Sequence, residues 1–116
     1  MRITHLWSYT AVIDAVLPEE KAPSCLSSLA SDLGMKVVGV PSFYRYRGPA
    51  FNYLVHCEQS HIIASTYPEW NRTVVEADTC TDVELKRARE AFDRFAESIG
   101  GKVVFFAPVY VPLTED

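Results

Sequence analysis

The residue types that could do chemistry are concentrated in one segment, CEQSHIIASTYPEW, at residues 57–70. Its apolar and β-branched residues are typical of a strand, but four polar residues, Glu58 to His61, interrupt the start of that strand. Polar residues at a strand junction normally form a turn, which is the ordinary interpretation of Ser60. The alternative is that the Gln59–Ser60 peptide bond is chemically rearranged, with the serine hydroxyl as the reacting group.

A metal site in the same segment is the weaker alternative. His56, Cys57 and His61 are ligand types that bind zinc, but adjacent residues of a strand point to opposite faces of its sheet. The chain has three cysteines with no C-x-x-C spacing, so neither a disulfide framework nor a zinc motif is indicated. We therefore expect no metal, and we interpret Cys25 as a buried free thiol.

Hydrophobic patterns predict the elements that must hold this segment. They indicate helices over residues 24–33 and 81–99 and strands over residues 3–16, 35–46, 51–57, 61–67, 72–78 and 102–112. Gly34 and Gly100 are predicted to end the two helices, because glycine adopts the left-handed conformation without strain. Thr81 and Glu84 fit a capping box at the start of the second helix. Pro108 predicts that the last strand lies at a sheet edge or contains a bulge.

The order of these elements favours an α+β fold, in which a two-layer sandwich has two helices on one face of a mostly antiparallel sheet. We expect a single domain over residues 1–116. The strand sequences KVVGV, FNYLV and KVVFFAPVYV show little polar alternation, so both faces of the sheet need cover. Because two helices cover one face, we expect a homodimer formed through the sheet or its edge.

Composition and charge narrow the choice of partners. Apolar residues make up 48% and charged residues 22% of the chain, which is usual for a globular protein. A formal net charge of -4 disfavours a nucleic-acid partner, which normally contacts a basic face. No apolar run approaches the roughly 20 residues that span a bilayer, and the start, MRITHLWSYTAVID, lacks the features of a signal peptide. A cytoplasmic protein with no membrane or nucleic-acid partner is expected.

The segment around Ser60 resembles the maturation segment of prokaryotic S-adenosylmethionine decarboxylases. That family typically reads E-S-H-L-x-I-H-T-W-P-E and then has a strand that ends in T-C, while here QSHIIASTYPEW is followed by VVEADTCTD. The positions that match in register are Ser60-His61, Thr66, Pro68-Glu69 and Thr79-Cys80. The initial THL, the helix before MKVVG and the final helix and strand extend the resemblance over most of the chain.

The resemblance implies a pyruvoyl-dependent decarboxylase that makes its own prosthetic group. In this family the serine hydroxyl attacks the preceding carbonyl and converts the peptide bond into an ester. Elimination then cleaves the chain and leaves a pyruvoyl group, which forms a Schiff base with the substrate amine and stabilises the carbanion left by loss of CO₂. The resemblance therefore puts the cleavage between Gln59 and Ser60, derives the pyruvoyl group from Ser60 and requires no metal.

The resemblance also implies roles for other residues. Cys80 matches the cysteine that returns a proton to the carbanion, and His61 is either a catalytic group or an ordinary strand histidine. Glu69 matches the carboxylate that binds the ribose hydroxyls, for which it is a good bidentate acceptor. Tyr46, in FYRYRG, falls near an aromatic residue that stacks on the adenine. We expect Tyr46 and Glu69 to line a pocket near Ser60 that binds S-adenosylmethionine or a related amino acid.

Three positions depart from the family's pattern, and all three concern maturation. The family's processing histidine is replaced by Ser65, its upstream processing serine by Asn52, and the glutamate before the cleavage serine by Gln59. A serine does not act as a base near neutral pH without its own activator, whereas imidazole does. Asn52 is able to donate a hydrogen bond to an oxyanion but not to relay a proton. Strict strand alternation also puts Ser60 and Ser65 on opposite faces, so the family's arrangement requires a turn or bulge between them.

Two functions remain open from the sequence. The first is a decarboxylase-like protein of polyamine metabolism that acts on S-adenosylmethionine or a related amino acid and whose self-maturation is impaired. The second is a non-catalytic homologue that keeps the fold and serves as a ligand-binding or partner subunit. Glu69 and Cys80 favour the first function, while Asn52 and Ser65 favour the second.

Overall fold

The computed structural model describes residues 2–114, in which six strands and two α-helices follow one another along the chain. Short 3₁₀ turns at Glu19–Lys21 and Pro68–Trp70 precede α1 and β5. The elements are β1 (His5–Ile13), α1 (Ala22–Asp32), β2 (Ser42–Arg45), β3 (Phe51–Cys57), β4 (Ser60–Tyr67), β5 (Arg72–Thr79), α2 (Leu85–Ser98) and β6 (Val103–Pro112).

The six strands form one sheet in the order β2-β3-β4-β5-β1-β6, and every neighbouring pair is antiparallel. The β6 strand lies at one edge of this sheet, where Pro108, which lacks an N–H, is tolerated. The α+β fold with a mostly antiparallel sheet and two helices, as predicted from the sequence, is confirmed. Among residues 2–114 no helix is both long and apolar enough to cross a membrane.

One face of the sheet carries the core. Tyr9, Ala11 and Ile13 of β1 are buried in alternation along the strand and pack with Phe92 and Phe95 of α2. Burying a side chain of the size of Phe stabilises the fold by about 1.5–3 kcal/mol, so these contacts supply much of the free energy that holds α2 on the sheet. We call this side the helix face.

The opposite side, the open face, is covered by no helix of the described chain. Its residues alternate with the buried ones along each strand and mix apolar with polar side chains. From the register, it includes Leu6, Ser8, Thr10, Val12, Asn52, Leu54, His56, His61, Ile63, Ser65, Val74, Glu76, Asp78, Phe105, Ala107 and Val109.

Two local predictions from the sequence are wrong. The strand predicted at residues 35–46 shortens to β2, because Gly39 takes a left-handed φ of 68° and breaks the extended run, leaving Val37 in a single bridge to Cys57. The capping box does not form, because α2 begins at Leu85 and its N-terminus has no side-chain cap. Thr81 Oγ1 instead donates to the Leu33 carbonyl at 2.8 Å and thereby ties the end of α1 to the segment after β5.

Other local predictions agree with the structure. Gly34 and Gly100 follow α1 and α2 with φ values of 70° and 78°, in the left-handed region that ends a helix. The strands β3, β4 and β5 begin and end within one residue of the predicted bounds. The three strands that carry the candidate chemistry are therefore, with β6, the best predicted elements of the fold.

Candidate active site

The connection between β3 and β4 is a two-residue turn, Glu58-Gln59, and its closing pair is Cys57 and Ser60. Such tight hairpins need a positive φ, which glycine or asparagine normally supplies. Here Gln59 takes a φ of 50°, and a side chain in that conformation costs on the order of 1–2 kcal/mol. The Gln59–Ser60 peptide bond, which is the candidate scissile bond, therefore directly follows a residue whose backbone is strained. We call this region, Glu58–Ser60 with Cys80, the turn end.

The turn end brings Ser60 and Cys80 together, although twenty residues separate them in the sequence. Pairing of β4 with β5 places the start of one strand beside the end of the other. The Ser60 Oγ atom lies 3.7 Å from Cys80 Sγ and accepts the Cys80 backbone N–H at 3.3 Å. The Sγ atom also lies 4.0 Å from the Glu58 carbonyl oxygen. A hydroxyl and a partly exposed thiol thus share the space next to the Gln59–Ser60 bond.

His61 lies on the open face, whereas pairing with the buried Cys57 aligns Ser60 with the helix face. The His61 Nε2 atom is 3.7 Å from Asp78 Oδ2, and Asp78 Oδ1 accepts a hydrogen bond from Ser8 Oγ at 2.7 Å. Successive strand residues point to opposite faces, so the imidazole is directed away from the Ser60 hydroxyl of its own chain. His61 belongs instead to a polar row across the open face.

A pocket of about 420 Å³ lies at the other end of the β3–β4 hairpin. It brings together both residues predicted to bind substrate, Tyr46 and Glu69, and both residues that the resemblance matches to processing positions, Asn52 and Ser65. Its lining is Tyr46, Arg47, Ala50, Asn52, Ser65, Thr66, Tyr67 and Glu69. We call this region the pocket end.

Two side-chain arrangements shape the pocket end. Asn52 and Ser65 are directly opposite each other in the β3–β4 ladder, and Asn52 Nδ2 donates to Tyr46 Oη at 2.7 Å. Behind them, Oγ1 of the buried Thr66 accepts a hydrogen bond from the Phe51 backbone N–H at 3.0 Å. Without this acceptor, the buried N–H group would have no hydrogen-bond partner.

Arg47 was not predicted as a site residue. Its signal was available, since it is the second arginine of FYRYRG and follows the predicted aromatic residue directly. Within residues 2–114, neither Arg47 nor Glu69 forms an ion pair. The pocket thus offers one cationic and one anionic group to a ligand.

The two ends are far apart within one chain. Ser60 and Ser65 are five residues apart on β4, which corresponds to roughly 17 Å of extended strand. The β4 strand pairs with both neighbours in unbroken register, so the bulge that the family's arrangement would need within a chain is absent from it. Neither Ser60 nor Cys80 lines the pocket. The expectation that Tyr46 and Glu69 lie near Ser60 is therefore wrong for a single chain.

Two titrating groups flank the turn end. A hydrogen bond from His5 Nε2 at 2.7 Å lowers the pKa of Asp82 below its ordinary 3.8, against an opposing effect of desolvation. Burial raises the pKa of the Cys57 thiol above 9.0, which keeps that group protonated and unreactive at neutral pH. Across residues 2–114 no group of three or more His, Cys, Asp or Glu side chains is arranged to hold a metal ion.

Comparison with known proteins identifies a matching family and similar solved structures. The family model of S-adenosylmethionine decarboxylase matches residues 9–106. The crystal structure of the adenosylmethionine decarboxylase from Aquifex aeolicus superimposes with a TM-score of 0.69 at 16% sequence identity, over 99% of this chain and 98% of that chain. At this identity the structural match establishes the fold. No curated protein matches the chain.

Proposed function

The chain belongs to the S-adenosylmethionine decarboxylase family, and we propose that it is a decarboxylase-like protein of polyamine metabolism whose self-maturation at Gln59–Ser60 is impaired. The observation that carries this proposal is the contrast between the two ends of the hairpin. The turn end holds a serine hydroxyl 3.7 Å from a thiol, while the pocket end has lost both side chains that the family uses for processing. The substrate class is S-adenosylmethionine or a related amino acid.

Ser60 and Cys80 supply part of what maturation and decarboxylation require. The Ser60 oxygen must bond to the Gln59 carbonyl carbon while the amide C–N bond breaks and the hydroxyl proton passes to the nitrogen. The Cys80 N–H contact restrains the Ser60 oxygen, and strain at Gln59 favours loss of the planar amide. A pyruvoyl group at position 60, when present, supplies the electron sink for decarboxylation. The Cys80 thiol is then close enough to deliver a proton to a carbon held at that position.

The missing component is a proton carrier. Elimination removes the Ser60 Cα proton and breaks the Cβ–Oγ bond, and the family uses an imidazole for such transfers at the position where this chain has Ser65. A serine hydroxyl does not replace imidazole near neutral pH. Since Ser65 lies roughly 17 Å along β4 and on the other face, any help from the pocket end must come from a second copy.

A homodimer is part of this proposal. The open face exposes apolar side chains, among them Phe105 and Val109, which a second copy would cover. A specific interface of this kind buries at least roughly 1,200 Å² in total. Sedimentation at micromolar concentration is the test, and a monomer there would contradict the dimer. A cytoplasmic location and the lack of nucleic-acid and membrane partners stay predictions from composition.

Intact-protein mass spectrometry tests the maturation proposal. We expect one mass, that of the uncleaved chain, or very slow conversion into two pieces of nearly equal length. Ser60→Ala is the matched control, because it keeps the turn and removes the attacking hydroxyl. Prompt and complete cleavage of the unmodified protein, with a pyruvoyl terminus on one piece, would contradict impaired maturation and restore the full decarboxylase.

The second candidate function is ligand binding without catalysis. The observation that favours it is the pocket itself, which is formed in the uncleaved chain and holds Tyr46 and Glu69 together. Calorimetry with S-adenosylmethionine is the test. We expect Glu69→Gln to weaken binding about tenfold or more. A carboxylate accepts hydrogen bonds from two hydroxyl groups, whereas an amide has a single oxygen acceptor, which is also weaker. If S-adenosylmethionine binds neither the wild type nor the Glu69→Gln variant, this function is excluded.

A further inference from the structure

One hydrogen bond joins two residues that the sequence assigned to different tasks. Asn52 occupies the position of a processing residue of the family, and Tyr46 the position of a ligand-stacking ring. In this chain Asn52 Nδ2 lies 2.7 Å from Tyr46 Oη. We propose that Asn52 is a positioning residue, which fixes the Tyr46 ring as the stacking wall of a preformed purine-nucleoside pocket in the uncleaved chain. This inference rests on the ligand pocket of the proposed function.

Tyr46 is held at three points although half of its surface is exposed. Its backbone N–H donates to the Ala50 carbonyl at 2.9 Å, across the loop that joins β2 to β3. Its ring meets the ring of Tyr44 edge-on, with the centroids 4.9 Å apart and an interplanar angle of 63°. Its hydroxyl accepts the Asn52 amide. An exposed tyrosine normally rotates about its χ angles. Here the backbone bond fixes the position of the Tyr46 Cα, and the two side-chain contacts restrain the ring.

The position of Asn52 is itself fixed by the sheet. Asn52 pairs with Tyr44 on β2 and with Ser65 on β4, so its Cα lies in the middle of three strands. Its side chain points to the open face, toward the Tyr46 hydroxyl and the pocket. A serine at position 52 would end about one bond length short of the asparagine amide, so a contact of 2.7 Å would open beyond hydrogen-bonding distance. The substitution that removed a processing hydroxyl is therefore the same one that reaches Tyr46.

The remaining pocket groups suit a nucleoside. A fixed aromatic face stacks on any base, and stacking is tolerant of base identity. Glu69 lines the same pocket and offers a carboxylate to a pair of ribose hydroxyls. A ring ordered before binding loses less freedom when the ligand arrives, which raises affinity without adding a contact.

A double-mutant cycle on adenosine binding tests the inference. The variants are Asn52→Ser, Tyr46→Phe and the two together, measured by calorimetry on the uncleaved protein. We expect each single variant to weaken binding about three- to tenfold, the range for one hydrogen bond, and the double variant to bind no more weakly than the weaker single. The matched control is Tyr110→Phe, which removes the hydroxyl of an equally exposed tyrosine on β6 and should leave affinity unchanged.

Two outcomes of the binding experiment overturn the inference in distinguishable ways. If the wild type binds adenosine but the two single effects multiply in the double variant, Asn52 and Tyr46 act independently and the positioning role is wrong. If the wild type binds no adenosine, the pocket of the proposed function fails and the inference fails with it.

Fluorine NMR of protein labelled with 3-fluorotyrosine adds a readout without ligand. The Tyr46 signal, assigned from its loss in Tyr46→Phe, should shift and narrow in Asn52→Ser, and an unchanged signal would contradict positioning.

Discussion

The two ends of the β3–β4 hairpin match the family's pattern to different degrees in the sequence resemblance. The turn end keeps the serine and cysteine of the family's pattern in contact, with Ser60 Oγ 3.7 Å from Cys80 Sγ. By the same resemblance, the pocket end keeps Glu69 and an aromatic ring at position 46, while Asn52 and Ser65 stand at the two positions that it matches to processing residues. The atoms that would react and the groups that would move their protons are therefore separable parts of this fold.

Physical constraint explains why the two ends differ. At the turn end the reactive geometry follows from the backbone, since the hairpin register and the β4–β5 pairing together place Ser60 beside Cys80. At the pocket end Asn52 and Ser65 project from the open face into a cavity, where a change of side chain disturbs no core packing. Substitutions at positions 52 and 65 are therefore expected to cost the fold little.

The largest effect is expected from restoring the helpers. Ser65→His together with Asn52→Ser should raise the rate of cleavage at Gln59–Ser60 by about 10²–10⁴, the usual contribution of a positioned acid–base group. Because Ser65 cannot reach Ser60 in its own chain, the rate should also rise with protein concentration as dimers form. Intact masses followed over time at two concentrations measure both effects.

The control for this experiment adds Ser60→Ala to the double variant and should abolish cleavage. The same Asn52→Ser change should weaken adenosine binding. This one substitution is therefore expected to speed cleavage at the turn end and to lower ligand affinity at the pocket end. Unchanged cleavage in the double variant would mean that the geometry between the copies, and not only the side chains, has diverged.

A second prediction concerns the one buried polar group at the pocket end. Thr66→Val removes the Oγ1 atom that accepts the Phe51 N–H at 3.0 Å, and leaving that buried donor unsatisfied should lower the free energy of unfolding by about 1–3 kcal/mol. Thr66→Ser keeps the hydroxyl and is the matched control. Denaturant unfolding measures both. Equal stability of the valine variant would show that this end of the hairpin tolerates change even in its backbone support.

The sequence predicted the strands whose pairing brings Ser60 near Cys80, and it missed the contacts that depend on loops. Antiparallel pairing of two predicted strands is enough to bring Ser60 near Cys80. The bond from Asn52 to Tyr46 depends on the conformation of the turn at Gly48-Pro49; the Gly-Pro pair predicts that turn, but no periodicity specifies its geometry. The predicted capping box failed for a related reason, because the Thr81 hydroxyl bonds to the Leu33 carbonyl, a tertiary partner invisible to local pattern.

A third and smaller effect is expected at the turn itself. Gln59→Gly relieves a left-handed backbone that costs a side chain about 1–2 kcal/mol, while the added freedom of glycine in the unfolded chain costs about 0.5–1 kcal/mol. The variant should therefore be more stable by about 0.5–1 kcal/mol in denaturant unfolding. Any residual cleavage should slow, because the strain beside the scissile bond is gone. Gln59→Ala keeps the strain and is the control, and equal stability of the two variants would contradict this account.

The smallest expected effect tests how the turn end is held from outside. Asp82 follows Cys80 by two residues and accepts a hydrogen bond from His5 at 2.7 Å, which anchors that segment to β1. This bond holds the pKa of Asp82 below 3.8 in the folded chain. A depressed carboxylate pKa stabilises the fold at pH values above the unfolded pKa, and this stabilisation is lost as the pH falls through the folded pKa.

Wild type and Asp82→Asn should accordingly differ in stability at pH 5–6 and converge when the pH drops well below 3.8. The difference should be small, because the Asp82 side chain is 72% exposed and solvent screens the pair. Asp93→Asn, which breaks a helix-surface pair with Arg89 far from the turn end, controls for the loss of one surface charge. Thermal unfolding from pH 2.5 to 6 gives both curves.

If Asp82→Asn also leaves the alkylation rate of the Cys80 thiol unchanged at pH 6, the turn end holds its cysteine through the sheet alone. A faster rate would show that His5 and Asp82 restrain the reactive segment as well as the fold.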